Sequence, residues 1–280
     1  MTKEGKTFNK RFEKKYIVNT AVLAAYIDKN DEILKSTLTS DHVKKDAAYT
    51  LIENIYFDND QLDSYHQSVE KTLFRKKLRL RTYAVDGKVT DLAFFEIKRK
   101  EFEQTLKERV VFKTSWLDAF IGHGYYQLAE VCAVNPLKTP AEVSTILNKI
   151  GHLLHEQGYH PILKSGYKRL AFKLKQQKNA LRITIDTDLS FTRLRNSRKV
   201  KLDYHKTLHR DQSIIEIKYK GEKDLDEIYQ IHHDLGEASG FSKYCYGIFS
   251  TEITWPKKMS GPAICSLRPV SSARTVASLS

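Results

Sequence analysis

Polar and apolar residues alternate with a period of two through many short stretches of this chain, the pattern of strands buried on one face. From Arg75 to Tyr83, the residues Arg75, Lys77, Arg79, Arg81 and Tyr83 fall on one side and Leu78, Leu80 and Thr82 on the other. The same split recurs elsewhere. Arg11, Glu13 and Lys15 oppose Phe12, Tyr16 and Val18, while Glu96, Lys98 and Lys100 oppose Phe95 and Ile97. Lys107 and Arg109 alternate with Leu106, Val110 and Phe112, although Glu108 shares the apolar side. Tyr167 and Arg169 oppose Leu170 and Phe172; Arg182, Thr184 and Asp186 oppose Leu181, Ile183 and Ile185; Glu216, Lys218 and Lys220 oppose Ile215 and Ile217. Seven strands therefore carry one apolar and one charged face.

The pattern predicts strands over Arg11 to Val18, Thr50 to Asp58, Arg75 to Tyr83, Leu92 to Lys100, Thr105 to Lys113, Leu163 to Lys173, Leu181 to Leu189, Val200 to Thr207 and Ser213 to Lys220. Asp86-Gly87 suits a hairpin between the third and fourth of these. Helices are predicted over Thr20 to Lys35, through Ser64, over Trp116 to Phe120, over Ala141 to His155 with Pro140 in the first turn, and over Asp224 to Glu237. The fold class is α+β, with an antiparallel sheet of eight strands expected to close into a barrel with helices packed outside. Residues 1–255 are read as one domain, and residues 256–280, rich in Ser, Ala and Pro without periodicity, as a disordered tail.

Composition adds charge to this picture. The 280 residues hold 47 Lys and Arg against 34 Asp and Glu, a formal charge of +13, which attracts polyanions. No run approaches about 18 apolar residues, and the N-terminus lacks the apolar block of a secretory signal. A cytoplasmic location with no transmembrane segment is therefore expected. Cys132, Cys245 and Cys265 are odd in number and lack C-x-x-C spacing, so neither a disulfide framework nor a zinc site is suggested. His205, His209, His232 and His233 lack carboxylates at a convincing ligand spacing.

In a closed sheet the charged faces would line a lumen, which needs an anion with many oxygens. Arg matches phosphate bidentately, so linear phosphate chains fit that requirement. Nucleic acid is not expected, because Phe12, Phe95, Phe112 and Phe172 lie on the core-facing side and leave no stacking platform.

The runs RFEKKY, IYFDN, KLRLRTY, FFEIKRK, LKERVVF, SGYKRLAFK, LRITIDTDL, IIEIKYK and FSKY, in this order over residues 8 to 250, resemble the VTC-type polyphosphate polymerase domain of the triphosphate tunnel (CYTH-like) superfamily. The resemblance implies an eight-stranded tunnel that transfers the terminal phosphate of ATP to inorganic polyphosphate with Mn2+ or Mg2+. By motif position it implies that Arg79, Arg81, Lys98, Arg169 and Arg182 act on the transferred phosphate. Lys15, Lys107, Tyr167, Lys218 and Lys243 would bind substrate, and Glu216 would hold the metal, with Glu13 and Glu96 steering the cations or assisting the metal. Two positions depart from the pattern: Arg11 replaces the first glutamate of the hydrolytic E-x-E-x-K strand, and Gly240 stands where a lysine is usual before FSKY. The alternatives are a triphosphate hydrolase or cyclase of the same superfamily and a non-catalytic polyphosphate-binding module. Export of product would require a membrane partner protein that the sequence does not identify.

Overall fold

The computed structural model describes residues 11–36, 38–40, 49–85, 88–102, 104–174, 181–194, 211–220 and 235–252. The expected strand at Val200 to Thr207, the Asp86-Gly87 turn, nearly all of the expected helix at Asp224 to Glu237 and the tail lie outside the described residues. The strands are β1 (Arg11–Asn19), β2 (Leu38–Ser40), β3 (Thr50–Asp58), β4 (Phe74–Val85), β5 (Lys88–Glu101), β6 (Gln104–Lys113), β7 (His160–Leu174), β8 (Leu181–Arg193) and β9 (Gln212–Lys220). The helices are α1 (Thr20–Ser36), α2 (Asp63–Val69), α3 (Leu117–His123), α4 (Leu128–Ala133), α5 (Pro140–Gly151) and α6 (Lys243–Glu252). Short 3-10 and π turns adjoin α3 and α5. α5 starts where its sequence dictates: Thr139 and Glu142 form a reciprocal capping box around Pro140.

All strands join one antiparallel sheet in the order β1-β9-β8-β7-β3-β4-β5-β6, with β2 added to β7. Alternation places the apolar residues on the outer face, where helices cover them. Leu78, Leu80, Phe95, Ile97, Val110 and Phe112 form one core with Phe120, Val143, Leu147 and Ile150 of α3 and α5. Tyr16, Val18, Ile183, Ile185, Ile215 and Ile217 form another with Leu23 and Tyr26 of α1.

The third core lies at one end of the inner face. α6 packs Tyr244 and Ile248 onto Ile52, Tyr56, Leu163, Tyr167 and Ile214. Gly247 permits this approach, since a Cβ there would lie 2.5 Å from the Leu163 and Phe191 side chains. Tyr244 anchors the helix by donating to the buried Asp58 carboxylate at 2.5 Å.

The expected closed barrel is corrected. Among the described residues β1 and β6 end the ladder and do not pair with each other. The outer edge of β6 is met instead by the Asn135 side chain, which hydrogen-bonds both the N–H and the carbonyl of Val111. The sheet still curls: Lys15 of β1 and Lys77 of β4, far apart in the strand order, donate to the adjacent Phe241 carbonyl and Ser242 Oγ at 3.4 and 3.1 Å.

Candidate active site on the concave face

Strand register carries the charged parity from one end of the sheet to the other. Lys107 faces Lys98, and Lys98 faces Lys77; Arg109 faces Glu96, and Glu96 faces Arg79. Arg81 faces Asn54, which faces Ser165. Arg169 faces Asp186, while Arg182 and Thr184 face Lys218 and Glu216, which face Glu13 and Lys15. α6 brings Lys243 onto the same surface. Every site residue expected from the sequence therefore reaches the concave face.

Four carboxylates organise these cations. Glu96, 2% exposed, takes Arg79 through Nε at 2.6 Å and Nη2 at 2.5 Å, Arg109 through Nε at 2.8 Å and Nη2 at 2.6 Å, and Lys107 at 2.6 Å. Burial opposes its ionisation, but Arg79, then Arg81 and Lys107, hold the Glu96 carboxyl well below the usual carboxylate range. Asp186 accepts Arg169 bidentately at 2.5 and 2.7 Å and Lys243 at 2.5 Å. Its carboxyl is lowered by Lys243 and Arg169 against the effect of burial.

Glu13 and Glu216 share the third grouping. Lys15 lies 2.6 Å from Glu13, and Lys218 lies 2.5 Å from Glu216 and 3.5 Å from Glu13. Burial works against Glu216 ionisation, yet Lys218 and Lys15 keep its carboxyl below the usual range. Glu216 and Lys218 thus form an internal salt bridge on one strand.

Other contacts fix the remaining cations of this face. Arg81 is 7% exposed and donates to Asn54 Oδ1 at 2.8 Å and to the Tyr167 hydroxyl at 3.1 Å. The Tyr167 ring carries Lys243 at 4.7 Å and Arg169 at 5.2 Å from its centroid. Burial resists ionisation of its phenol, while Arg81 and Arg169 pull it down.

Lys98 makes no ion pair among the described residues. It touches water, yet protein surrounds it closely enough that desolvation pushes its ammonium down. Burial also lowers Lys77, which donates to Ser242 Oγ at 3.1 Å. Asn54, Asp186, Lys77, Arg109 and Ser242 join the site without having been singled out as functional residues. Lys77, Arg109 and Asp186 had the right parity, but their contacts depend on long-range register.

The face thus combines a surplus of positive charge with fixed donor geometry. It can hold a linear polyanion and neutralise oxygens along it. Among the described residues no group of three or more His, Cys, Asp or Glu side chains converges to cage a metal.

A protein-family model, the VTC domain, matches residues 10–251. The chain belongs to the VTC domain family. Subunit 4 of the vacuolar transporter chaperone complex of Schizosaccharomyces pombe is 29% identical over 187 residues, covering 62% of this chain and 25% of that protein. The chain thus spans about a quarter of that curated relative. Among solved structures, the PH1819 protein of Pyrococcus horikoshii aligns with a TM-score of 0.42 at 14% identity, covering 86% of this chain and 99% of its own. A candidate adenylate cyclase of Bacillus halodurans aligns with a TM-score of 0.42 at 12% identity, covering 82% of this chain and 92% of its own. No helix among the described residues is long and apolar enough to cross a membrane.

Proposed function

We propose that this VTC domain is a polyphosphate polymerase, transferring the terminal phosphate of ATP to a growing inorganic polyphosphate chain within the curl of its sheet. One observation carries this reading. Lys15 of β1 and Lys77 of β4, on strands far apart in the sheet order, both reach the segment before α6, through the Phe241 carbonyl at 3.4 Å and Ser242 Oγ at 3.1 Å, which supports a cationic face that curls around its ligand.

An oxygen of the acceptor chain attacks the γ-phosphorus, the bond to the β-phosphate bridging oxygen breaks, ADP leaves, and a new phosphoanhydride forms. Such transfer asks mainly for in-line placement and neutralised oxygens. Arg79, Arg81 and Arg169 are oriented for this by Glu96, Asn54, Tyr167 and Asp186 before substrate arrives. Lys98 supplies a charge with no carboxylate partner among the described residues, and Arg182, Lys15, Lys107, Lys218 and Lys243 extend the cationic path along donor and acceptor chains. Among the described residues Glu13, Glu96, Asp186 and Glu216 of this face are each engaged by cations, which favours an anionic acceptor over water and weighs against the hydrolase alternative.

The donor set suits a divalent ion that arrives with phosphate, because magnesium takes one or two carboxylates and completes its shell from substrate oxygens and water. Glu216, with Glu13 beside it, would hold Mg2+ or Mn2+ and exchange its bond to Lys218 for the ion. The ion would neutralise charge developing on the transferring phosphate. The relative's membership in a vacuolar transporter chaperone complex supports a partner protein for this chain as well.

The test incubates purified protein with ATP and Mg2+ or Mn2+, following ADP, free phosphate and polymer on a gel. Polymer is expected to account for the transferred phosphate. Free phosphate accounting for all ATP lost at early times would establish the hydrolase instead. Tight binding of polyphosphate without turnover would establish the binding module.

A further inference from the structure

β6 ends the sheet, and its outward backbone is only partly satisfied. Asn135 Nδ2 donates to the Val111 carbonyl and Asn135 Oδ1 accepts from the Val111 N–H, each at 2.9 Å. These bonds show that the backbone groups of Val111 point away from β5. In an antiparallel ladder this direction alternates residue by residue, so the N–H and C=O groups of Thr105, Lys107 and Arg109 point outward too. No backbone partner meets them among the described residues.

Beyond that edge lies a groove of about 650 Å³ between β6 and the start of α5, walled by Lys107, Glu108, Arg109, Lys138, Glu142 and Thr145. An unpaired strand bordering a groove is the setting for strand addition, in which backbone bonds provide affinity and side-chain pockets provide specificity. Asn135 already presents a side-chain amide to the edge in that way. Edge cations commonly deter such pairing. Here Arg109 and Lys107 turn inward to Glu96, leaving their backbone groups uncovered.

From this edge and groove we infer that β6 binds an extended acidic segment of another protein by strand addition. Charge selects the occupant. Glu108 is neutralised by Arg99 and Lys149, and Glu142 is held by its capping contacts with Thr139, whereas Lys107 and Arg109 share the single charge of Glu96 with Arg79, so the cluster behind the edge keeps a positive surplus to which Lys138 adds. A phosphate chain offers no donors to the outward carbonyls, whereas a peptide backbone offers donors and acceptors in alternation. A second copy of the chain would bring the same positive surplus, and Lys138, against its own kind.

The probe is a labelled eight-residue peptide alternating Glu and Val, measured by fluorescence anisotropy and by amide hydrogen exchange of the full chain. The expected result is saturable binding with exchange slowed at least about tenfold at Thr105, Lys107 and Arg109. Methylating the ladder-facing peptide nitrogens should weaken binding about tenfold, because each removed donor leaves a carbonyl unpaired. Thr105→Pro, which deletes one outward N–H without touching the β5 ladder, and Lys138→Glu should each weaken it several-fold in protein whose circular dichroism is unchanged. If Thr105→Pro does not fold, Lys138→Glu and the methylated peptide decide.

No binding, binding without protection of these amides, or indifference to methylation would overturn the proposal. So would polyphosphate protecting the same amides and displacing the peptide, or a dimer in which they are already protected.

Discussion

Replacing Glu96 by Gln tests whether this carboxylate holds the cationic face together. Glu96 binds Arg79, Arg109 and Lys107 while itself only 2% exposed. At an effective dielectric constant near 20, three such contacts give on the order of 10 kcal/mol of gross attraction, most of which offsets the desolvation of the carboxylate. The partners are partly solvated, with side-chain exposures of 26% for Arg79, 46% for Lys107 and 39% for Arg109, so the lower end of the range for a broken buried pair applies. Glu96→Gln should therefore cost about 3 kcal/mol of folding stability, because the amide also turns one oxygen into a donor facing guanidinium. Its melting temperature should fall by roughly 6–12 °C.

A polyanion can supply the missing negative charge. Urea unfolding with and without short-chain polyphosphate should show the variant regaining more stability than the wild type, and losing it again as salt rises. The wild-type carboxyl is held below its unfolded value, so its stabilisation is present above about pH 4.3 and fades as acidification proceeds below that point. The variant should lose that acid-sensitive component. Equal stability of variant and wild type at low salt, or a loss that polyphosphate does not repair, would refute this account.

Three further outcomes can be measured. Burial pushes the Lys107 ammonium down to about 8 against the pull of Glu96, so polyphosphate affinity should fall as pH rises from 7 to 9, and Lys107→Arg should flatten that decline; superimposable profiles would exclude the assignment. Glu216→Gln should lower turnover by roughly a hundredfold at fixed Mg2+, with partial recovery as Mg2+ is raised, and a variant retaining full metal-dependent activity would remove Glu216 as a ligand. Tyr244→Phe should cost about 2 kcal/mol in denaturant unfolding, since Asp58 loses a hydroxyl donor, and an unchanged midpoint would show that the contact does not anchor α6.

The strands were legible because their alternation is strict, and the charged parity of Arg79, Arg81, Lys98, Arg169 and Arg182 survives into the sheet. Seven of the expected strands shifted only at their ends, as β4 did in extending to Phe74 and Val85. Glu108, out of place on an apolar face, finds Arg99 and Lys149 at the edge of the outer core. The FSKYCYGIFST run carried little helical signal. It becomes α6 because Gly247 fits against Leu163 and Phe191 and Tyr244 reaches Asp58, contacts that span more than fifty residues. Closure was illegible for a related reason: alternation assigns faces but not edges, and the edge of β6 is occupied by a side chain from the loop after α4.

The carboxylates explain how a face with such surplus positive charge can exist before its ligand arrives. Left alone, Arg79, Lys107 and Arg109 would repel one another and turn toward solvent, and Arg169 and Lys243 would do the same. Glu96 and Asp186 prevent this by gathering two or three cations each at hydrogen-bond distance. They leave the remaining donors of each guanidinium directed elsewhere. A phosphate oxygen bound on this face, as proposed, would meet oriented donors and need not organise them, so less of its binding free energy would be lost to reordering the site. The same arrangement limits any one carboxylate as a base, because a proton placed on Glu96 or Asp186 would release the cations it holds. On this physical ground, turnover should depend on the carboxylates through the positions of their cations: Glu96→Gln, nearly isosteric but uncharged, should displace Arg79 and Arg109 and impair transfer even at a pH where no carboxylate titrates.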